Sequence, residues 1–557
     1  MGKKGGLKEI KLHHRRPRRV FVQIALIASV VWVFYHTLSS LGGTLYPDLP
    51  AEKLPQPKES ENHSAFTQSL SNVLALLPDE QQTQRLLTPI ESTGEQRMKE
   101  FGIRTRQYKQ LFDVWETLHT NKTKSQRFVQ DDVLQRLYQN PSIATLLDRD
   151  MAQIVHSYES YRSIVTQLST LLFPWTAPYF ADHLQLRQQL QSAPRGLVFS
   201  AGNDQVRFLL TSIPAIRRLG CQLPIEVMYL GDDDLRPASR TALEELPGVI
   251  TRDLRKMVND KGWALKGWAG KPFAVLFSSF REVIFIDADS LFLQNPETLF
   301  DDFAYRETGA LFFKDRLMFP ESKREWMQKV LPEPISSKAQ QTRLWDGQSG
   351  HMQESGVLVL DTYRHFLSLL LVTRMNGPDR DGNEKKGIRG VYDMLFGESP
   401  FCLVLRTISN EEIGDKETFW LGWELAGDTD YAFHNGSVGT IGVAHAETPR
   451  PAPSAAAGLS TPSKEYTICA PQLLHLDRMG RPLWFNGWLL ENKFAKAGEK
   501  RPAKFEAYVR EEGKVPDWQL KESNMACLTS KKMFSLSQEE SDVLDMTIEM
   551  GRRCEAF

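Results

Sequence analysis

The chain has 557 residues and a formal net charge of −1, with 41% hydrophobic and 25% charged residues. This length can hold a large core together with accessory regions, and the composition is that of an ordinary globular protein. Because the net charge is close to zero, there is no overall positive field, and we expect no nucleic-acid partner.

The N-terminal residues predict a membrane anchor. Residues 1–19, the expected cytoplasmic tail, carry eight lysines and arginines and one acid, and an apolar run follows over residues 20–41. Twenty-two helical residues reach about 33 Å, enough to cross a bilayer core of about 30 Å. The basic flank should stay in the cytoplasm, which makes the chain a single-pass type II protein with a lumenal body. A cleaved signal peptide is the alternative, since Ser39, Ser40 and Gly42 are small.

Glycosylation sequons and cysteines agree with a lumenal location. Sequons occur at Asn62, Asn121 and Asn435, where we expect N-glycosylation. All five cysteines follow the apolar run. An oxidising lumen allows up to two disulfides with one cysteine left over, and the sequence does not determine the pairing.

Two regions precede the main domain. Residues 42–64 are rich in Pro, Ser and Glu and predict a flexible stem. Over residues 65–192, apolar residues recur at helical spacing, which predicts a helical region. Its expected job is spacing, packing or oligomerisation, and the sequence does not determine the oligomeric state.

The pattern over residues 193–495 alternates strands and helices and predicts a large α/β domain. A strand at 197–203, a helix at 205–219 and a strand at 224–230 form a βαβ unit, which implies a mostly parallel central sheet. Further strands are predicted at 249–254, 283–286, 310–313 and 353–361.

Candidate ligand-binding residues follow the first strand of this domain. Gly202 and Asn203 lie at its turn, where a nucleotide could approach the backbone. An ordinary turn explains them equally well, because the G-x-G-x-x-G pattern of nicotinamide-binding proteins is absent.

The strand at 283–286 leads directly into two carboxylates, Asp287 and Asp289. Residues two apart on an extended chain point the same way, and ligands of open α/β sheets bind at the carboxyl ends of strands. Two hard oxygen donors there suit Mg²⁺ or Mn²⁺ shared with substrate phosphates. Lys271 precedes the strand and could neutralise a diphosphate. A turn rich in aspartates and a solvated lysine are the alternatives.

Two further segments complete the chain. Residues 446–464 are of low complexity and predict a disordered surface loop, and residues 496–557 are charged and sparsely apolar, a C-terminal extension.

Between these two segments, His475 is a candidate third metal ligand, since neutral imidazole suits Mn²⁺. Together with the acidic pair and Lys271, it indicates a nucleotide-sugar transferase.

Four motifs strengthen this interpretation. The run FIDADSLFL resembles the D-x-D strand of GT-A glycosyltransferases, which have a Rossmann-like fold. HLDRMGRPLW resembles the histidine element of glycogenin-like retaining transferases, with one extra residue before the glycine and Arg481 in place of lysine. With ESGVLVLD and GDKETFW in the same order, the chain is most similar to the fungal Golgi α-mannosyltransferase family over residues 196–488.

The resemblance implies a metal and phosphate site. It assigns Mn²⁺, or another divalent cation, to Asp287, Asp289 and His475. Asp287 would also face the donor, and Lys271 would meet the donor diphosphate.

The resemblance also implies a sugar site and a reaction centre. It places Glu354 and Ser355 beside the donor sugar and Asp415 beside the acceptor. If the reaction passes through a covalent intermediate, Asp415 or Glu417 would be the carboxylate, and the alternative is a front-face displacement.

The expected function is transfer of mannose from GDP-mannose to mannosylated glycoprotein glycans in the Golgi, with retention of configuration. We expect the product to have an α-1,3 linkage, with an α-1,2 linkage as the second alternative. The alternatives are a transferase that uses another nucleotide sugar, and an inactive lumenal protein that binds glycans.

Overall fold

The computed structural model describes residues 59–122, 127–177, 179–382, 389–396, 415–447, 464–492, 495, 499–521 and 525–557. The chain divides into two compact units, Met1–Phe66 and Thr67–Phe557. The predicted cytoplasmic tail and the predicted anchor at residues 20–41 lie outside the described residues. Among the helices that are described, none is both long enough and apolar enough to cross a membrane.

Helices dominate the described residues before the central sheet. They are α1 (Glu59–Ala75), α2 (Glu80–Leu87), α3 (Gly94–His119), α4 (Val133–Gln139), α5 (Ser142–Leu146), α6 (Met151–Leu172) and α7 (His183–Gln191). A short antiparallel hairpin of β1 (Thr120–Lys122) and β2 (Arg127–Val129) interrupts them. Each strand has three residues, too few for an alternating apolar pattern to show in the sequence.

The central sheet has seven strands in the order β10-β8-β9-β6-β3-β4-β5. These are β3 (Arg195–Ser200), β4 (Ile225–Tyr229), β5 (Val249–Asp253), β6 (Glu282–Ile286), β8 (Ala310–Lys314), β9 (Gln353–Asp361) and β10 (Ala432–Phe433). Strands β6, β3, β4 and β5 are parallel neighbours, as are β10 and β8, whereas β9 runs antiparallel to both β6 and β8. The prediction of an α/β domain with a mostly parallel sheet is confirmed.

Eleven further helices are described after the first strand of this sheet. They are α8 (Val206–Arg218), α9 (Pro237–Glu244), α10 (Gly270–Leu276), α11 (Phe303–Thr308), α12 (Arg324–Val330), α13 (Ser337–Gln340), α14 (Arg343–Asp346), α15 (Phe366–Asn376), α16 (Val391–Phe396), α17 (Thr418–Ala426) and α18 (Gln538–Arg553). The central strands are almost fully buried, which explains why they appear in the sequence as continuous apolar runs.

A second, antiparallel sheet begins immediately after the acidic pair. Its order is β19-β16-β11-β14-β15-β7. The strands are β7 (Ser290–Phe292), β11 (Val438–Gly442), β14 (Leu473–Leu476), β15 (Pro482–Asn486), β16 (Ala507–Arg510) and β19 (Phe534–Ser535). Because β7 follows β6 after only three residues, this sheet meets the central sheet at the predicted metal pair.

A third sheet has the order β12-β13-β18-β17 and carries a disulfide. Its strands are β12 (His445–Glu447), β13 (Glu465–Ala470), β17 (Asp517–Lys521) and β18 (Met525–Ser530). Cys469 and Cys527 are bonded across β13 and β18. Cys221 and Cys554 are free, and Cys402 lies outside the described residues, as does most of the predicted loop at 446–464.

The segment after residue 495 is part of the fold, in contrast to the predicted separate extension. Strand β16 pairs with β11 in the second sheet, where buried Tyr508 joins the core, while buried Val509 packs in a separate cluster with Ile468 and Leu528 of the third sheet. Helix α18 packs on α8, and the backbone carbonyl of Ala556 accepts a hydrogen bond from Nε1 of Trp488 at 3.0 Å. The strands here are too short, and α18 too polar on its outer face, for composition to reveal this role.

Helix α3 of the helical region supports α17. Arg106 donates hydrogen bonds to the carbonyl oxygens of Glu424 at 2.8 Å and Leu425 at 3.1 Å, in the last turn of α17. Gly102 packs so closely that a Cβ there would lie 3.0 Å from the carbonyl oxygen of Leu425. Of the three roles expected for the helical region, which are spacing, packing and oligomerisation, these contacts represent packing on the main domain.

We expect a fragment of residues 193–557 to be much less stable than Thr67–Phe557. The shorter fragment loses α3, which leaves the last carbonyl groups of α17 without the Arg106 side chain that donates to them. Circular dichroism during heating of both fragments measures the difference. Arg106→Ala in the longer fragment should lower the free energy of unfolding by about 1–3 kcal/mol. Equal melting temperatures for the two fragments would contradict this role of α3.

Candidate active site

Carboxylates and amino groups gather at one edge of the central sheet. Asp287 and Asp289 follow β6, and because β9 runs antiparallel, its first residues lie at the same edge. The backbone N–H of Asp287 donates to the carbonyl oxygen of Gly356 at 2.8 Å, which fixes the two strands side by side. A Cβ at Gly356 would lie 2.9 Å from Oγ of Ser290, so this close approach requires glycine.

Lys271 contacts three of the other predicted site residues. It lies in the first turn of α10 with only 3% of its surface exposed. Its Nζ donates to Oδ2 of Asp287 at 3.0 Å and to both Oγ and the carbonyl oxygen of Ser355 at 3.0 Å, and it lies 3.2 Å from Oδ2 of Asp415. Burial lowers the pKa of Lys271, but Asp287 and Asp415 outweigh it and raise the pKa, so the ammonium stays charged.

The carboxylates around Lys271 are held in an environment that disfavours their charge. Burial raises the pKa of Asp287 to about 7, with further contributions from Asp289 and Asp415, although Lys271 opposes the shift. Burial likewise raises the pKa of Asp415. Without another cation, the single ammonium does not fully compensate these acids.

A second charged cluster adjoins the first. Nζ of Lys416 donates to Oε2 of Glu354 at 2.8 Å and to Oδ2 of Asp315 at 3.0 Å. The other oxygen of Glu354 accepts from Nδ2 of Asn486 at 2.9 Å and from the backbone N–H of Gly356 at 3.0 Å. Burial raises the pKa of Glu354, but Lys416 more than offsets this and holds it below its usual value.

Sequence reasoning missed Asp315, Lys416 and Asn486. Asp315 directly follows β8, in the same way that Asp287 follows β6, and this position at a strand end was its available signal. Lys416 lies between two residues that were proposed as catalytic. Asn486 ends β15, and its pairing with Ser290 of β7 depends on a contact between distant segments that spacing does not reveal.

Glu417 holds the backbone beside the site. Its Oε1 accepts from the backbone N–H groups of Met352 at 2.8 Å and Gln353 at 3.3 Å, and its Oε2 accepts from Nε1 of Trp420 at 2.6 Å. These three donors engage both oxygens, which favours a positioning role. Of the two candidate catalytic carboxylates, Asp415 is the one that contacts Lys271.

The oxygens of Asp287 and Asp289 suit a divalent cation, whereas the structure places His475 near Glu354 and Asp315 and does not group it with that pair in the described ranges. Asp287 and Asp289 supply hard oxygens at the strand end, and His475 of β14 is 2% exposed, with its Nε2 unpartnered in the described part of the chain. Burial lowers the pKa of His475 to about 3, so the imidazole is neutral, as a metal ligand must be. No three His, Cys, Asp or Glu side chains in the described ranges are already grouped to hold a metal ion. Phosphate oxygens and water would complete the coordination of the carboxylate pair.

Gly202 and Asn203 connect two loops at the strand ends. Oδ1 of Asn203 accepts from the backbone N–H of Arg236 at 3.0 Å, and its Nδ2 donates to the carbonyl oxygen of Asp233 at 3.1 Å. A Cβ at Gly202 would lie 2.5 Å from Oδ1 of Asp234, so glycine permits this approach. The amide of Asn203 therefore positions the loop after β4, and donor binding by this pair stays a prediction.

The structure describes the three predicted sequons unequally. Asn435 is exposed, as an acceptor of a glycan must be. The side chains of Asn62 and Asn121 lie outside the described part of the structure. Glycosylation at all three stays a prediction.

We expect Lys416→Met to lower the free energy of unfolding by about 2 kcal/mol and to reduce activity. The substitution leaves Glu354 and Asp315 without their shared ammonium. Because the Lys416 side chain is about one-third exposed, the expected loss of stability is smaller than for a fully buried ion pair. Urea unfolding measures the change. Lys416→Arg keeps the charge and should retain most of the stability, so equal losses in the two variants would contradict this explanation.

A pH dependence of stability should follow from Glu417. Burial raises its pKa to about 7 in the folded protein, above the usual value, so the folded state keeps a proton that the unfolded state releases. The protonated Glu417 carboxyl therefore makes its full contribution to the free energy of unfolding below about pH 4. That contribution, up to about 3 kcal/mol, is lost as the pH rises through about 7. Urea unfolding at pH 5 and pH 7.5 should show a smaller loss in Glu417→Gln than in the unsubstituted chain. Equal losses would contradict this assignment.

Comparison with known proteins points to one family. A family model described as "Mannosyltransferase putative" matches residues 194–477, just over half of the chain. Alpha-1,3-mannosyltransferase MNT3 of Saccharomyces cerevisiae is 26% identical over 324 residues, which cover 55% of this chain and 48% of MNT3. Alpha-1,3-mannosyltransferase MNT2 of the same yeast is 25% identical over 317 residues, covering 54% of this chain and 52% of MNT2. The chain spans only 36% of MNN14 of Candida albicans.

Similar solved structures include core-mannan synthase A of Aspergillus fumigatus in its Mn/GDP form, with 11% identity and a TM-score of 0.25, covering 46% of this chain and 74% of that one. The galactosyltransferase LgtC has 14% identity and a TM-score of 0.25, with 43% and 73% covered. These scores are too low to support a conclusion. The family match covers the strands, Lys271 and the carboxylates described above, and so confirms the resemblance found in the motifs: the chain belongs to this mannosyltransferase family.

Proposed function

We propose that the protein transfers mannose from GDP-mannose to a mannosylated glycan, with retention of configuration and an α-1,3 linkage. The observation that carries the proposal is the contact of Lys271 with both Asp287 and Asp415 in a chain of this family. The names of MNT3 and MNT2 support the linkage. The mostly parallel sheet with acids at the end of β6 supports the GT-A class.

Lys271 and the acidic pair suit a departing diphosphate. The Lys271 ammonium is fixed by Asp287 and Ser355, so it can attract the charge that grows on the phosphate oxygens without first reorganising. A divalent cation held by Asp287 and Asp289, with His475, would supply further stabilisation of the leaving diphosphate when bound. Glu354, fixed by Lys416 and Asn486, is placed to bind sugar hydroxyl groups.

Retention of configuration leaves two routes for the sugar carbon. In a double displacement, a carboxylate attacks the anomeric carbon as the bond to phosphate breaks. The acceptor hydroxyl then displaces that carboxylate from the anomeric carbon. Asp415 is the carboxylate for this role because it is buried beside Lys271. In a front-face displacement, the leaving phosphate accepts the proton of the acceptor hydroxyl, and Asp415 would orient the acceptor.

A Golgi location with a single-pass type II anchor belongs to the same proposal. The basic residues 1–19 and the apolar run over 20–41 support it. The Cys469–Cys527 disulfide agrees with an oxidising compartment. Protease protection in intact microsomes, with and without detergent, tests this topology.

The activity test uses the purified full-length chain with GDP-mannose, Mn²⁺ and a panel of α-mannosides. We expect transfer that EDTA abolishes, and a product whose linkage NMR identifies. Asp289→Ala should lower kcat/KM at least about 100-fold, because the acidic pair loses one oxygen ligand. Asp545→Ala, an exposed substitution on α18, is the matched control and should retain full activity. Folded Asp289→Ala protein with full activity would overturn the metal role, and transfer only from another nucleotide sugar would overturn the donor.

A further inference from the structure

Trp268 is exposed where the other tryptophans of the described ranges are not. It is 46% exposed, whereas the remaining described tryptophans are buried or half-buried. The sequence K-G-W-A occurs twice, at residues 261–264 and 266–269, so the chain holds two copies of one motif. In the first copy, Trp263 packs on Phe273 with ring centroids 5.6 Å apart. The second copy leaves its ring available.

The backbone around Trp268 leads directly into the candidate active site. Its 3-10 turn, Gly267–Ala269, continues without a break into α10. A Cβ at Gly270 would lie 3.7 Å from Oγ of Ser200 and 3.9 Å from Cδ1 of Leu230, so the turn sits over the carboxyl ends of β3 and β4. Trp268 and Lys271 are three residues apart across the junction of this turn and α10, so we expect their side chains to leave the backbone on the same side.

The strand order shows which part of a donor reaches this position. Lys271 and Asp287 mark the diphosphate at β6, and β3 and β4 are the next two strands on one side. Neighbouring strands lie about 4.8 Å apart, so β4 is about 10 Å from β6, a distance that a nucleoside can span. Glu354, proposed above to bind the sugar, lies in β9, and Asp315, which shares Lys416 with it, follows β8; both are on the other side of β6.

We propose that Trp268 is the platform on which the nucleobase of the donor stacks. This proposal rests on the function proposed above, because it requires a nucleotide-sugar donor. A large aromatic face binds a planar base by stacking, and stacking alone does not select among bases. Selection of guanine would then depend on polar groups at the base edge.

The test measures binding of GDP with Mn²⁺ to the full-length chain by isothermal titration calorimetry. Loss of one base-stacking contact should weaken GDP binding about 10- to 100-fold in Trp268→Ala. Trp268→Phe keeps an aromatic face and should lose much less affinity than Trp268→Ala. Trp263→Phe alters the half-buried tryptophan of the first copy of the motif and is the matched control, with GDP affinity within about threefold of the unsubstituted chain. Iodide quenching of tryptophan fluorescence adds a direct readout: GDP should protect a component that Trp268→Phe lacks.

The outcomes separate this proposal from the proposed function. Unchanged GDP affinity in folded Trp268→Ala overturns the stacking role. A raised KM for the acceptor with unchanged GDP affinity also overturns it and assigns the ring to the acceptor glycan. If the unsubstituted chain binds UDP rather than GDP, the GDP-mannose donor is wrong, and the same variants titrated with UDP still decide the role of Trp268.

Discussion

The ammonium group of Lys271 is the interaction on which the site depends. It is almost fully buried and lies within 3.2 Å of oxygens from three different segments. These are the end of β6, the start of β9 and the segment before α17 that contains Asp415. An unpaired charge in that position would be strongly destabilising, so the lysine and its carboxylates require one another. The same constraint gives the site its chemistry, since a charge already held in place can stabilise a new negative charge without reorganisation.

Three consecutive residues before α17, namely Asp415, Lys416 and Glu417, each make a different contact in the site. Asp415 faces Lys271, Lys416 bridges Glu354 to the end of β8, and Glu417 fixes the backbone at the start of β9. Their placement depends on α17, whose last turn is held by Arg106 of α3. Within the described residues, the N-terminal helices thus affect the candidate site through the position of α17.

The sequence predicted those parts of the site that depend on local pattern. The buried strand before Asp287 and the lysine before it could be found because apolar runs and strand ends have a local signature. Asn486 could not be found, because its contact with Glu354 arises when β15 pairs with β7, nearly 200 residues away in the sequence. The C-terminal strands were missed for the same reason: a four-residue strand such as β16 is stabilised by its neighbours in the sheet and has little pattern of its own.

The charges of the site explain why a diphosphate should enter with a cation. Two ammonium groups, those of Lys271 and Lys416, face an excess of carboxylates: Asp287, Asp289, Asp315, Glu354 and Asp415. A diphosphate adds further negative charge to this excess, and like charges in a partly buried site repel strongly. Burial is the main cause of the raised pKa of Asp287, and the neighbouring carboxylates of Asp289 and Asp415 add to it in the protein alone. A divalent cation held by Asp287 and Asp289 would add positive charge there, so under the proposed function donor affinity and metal affinity should each depend on the other.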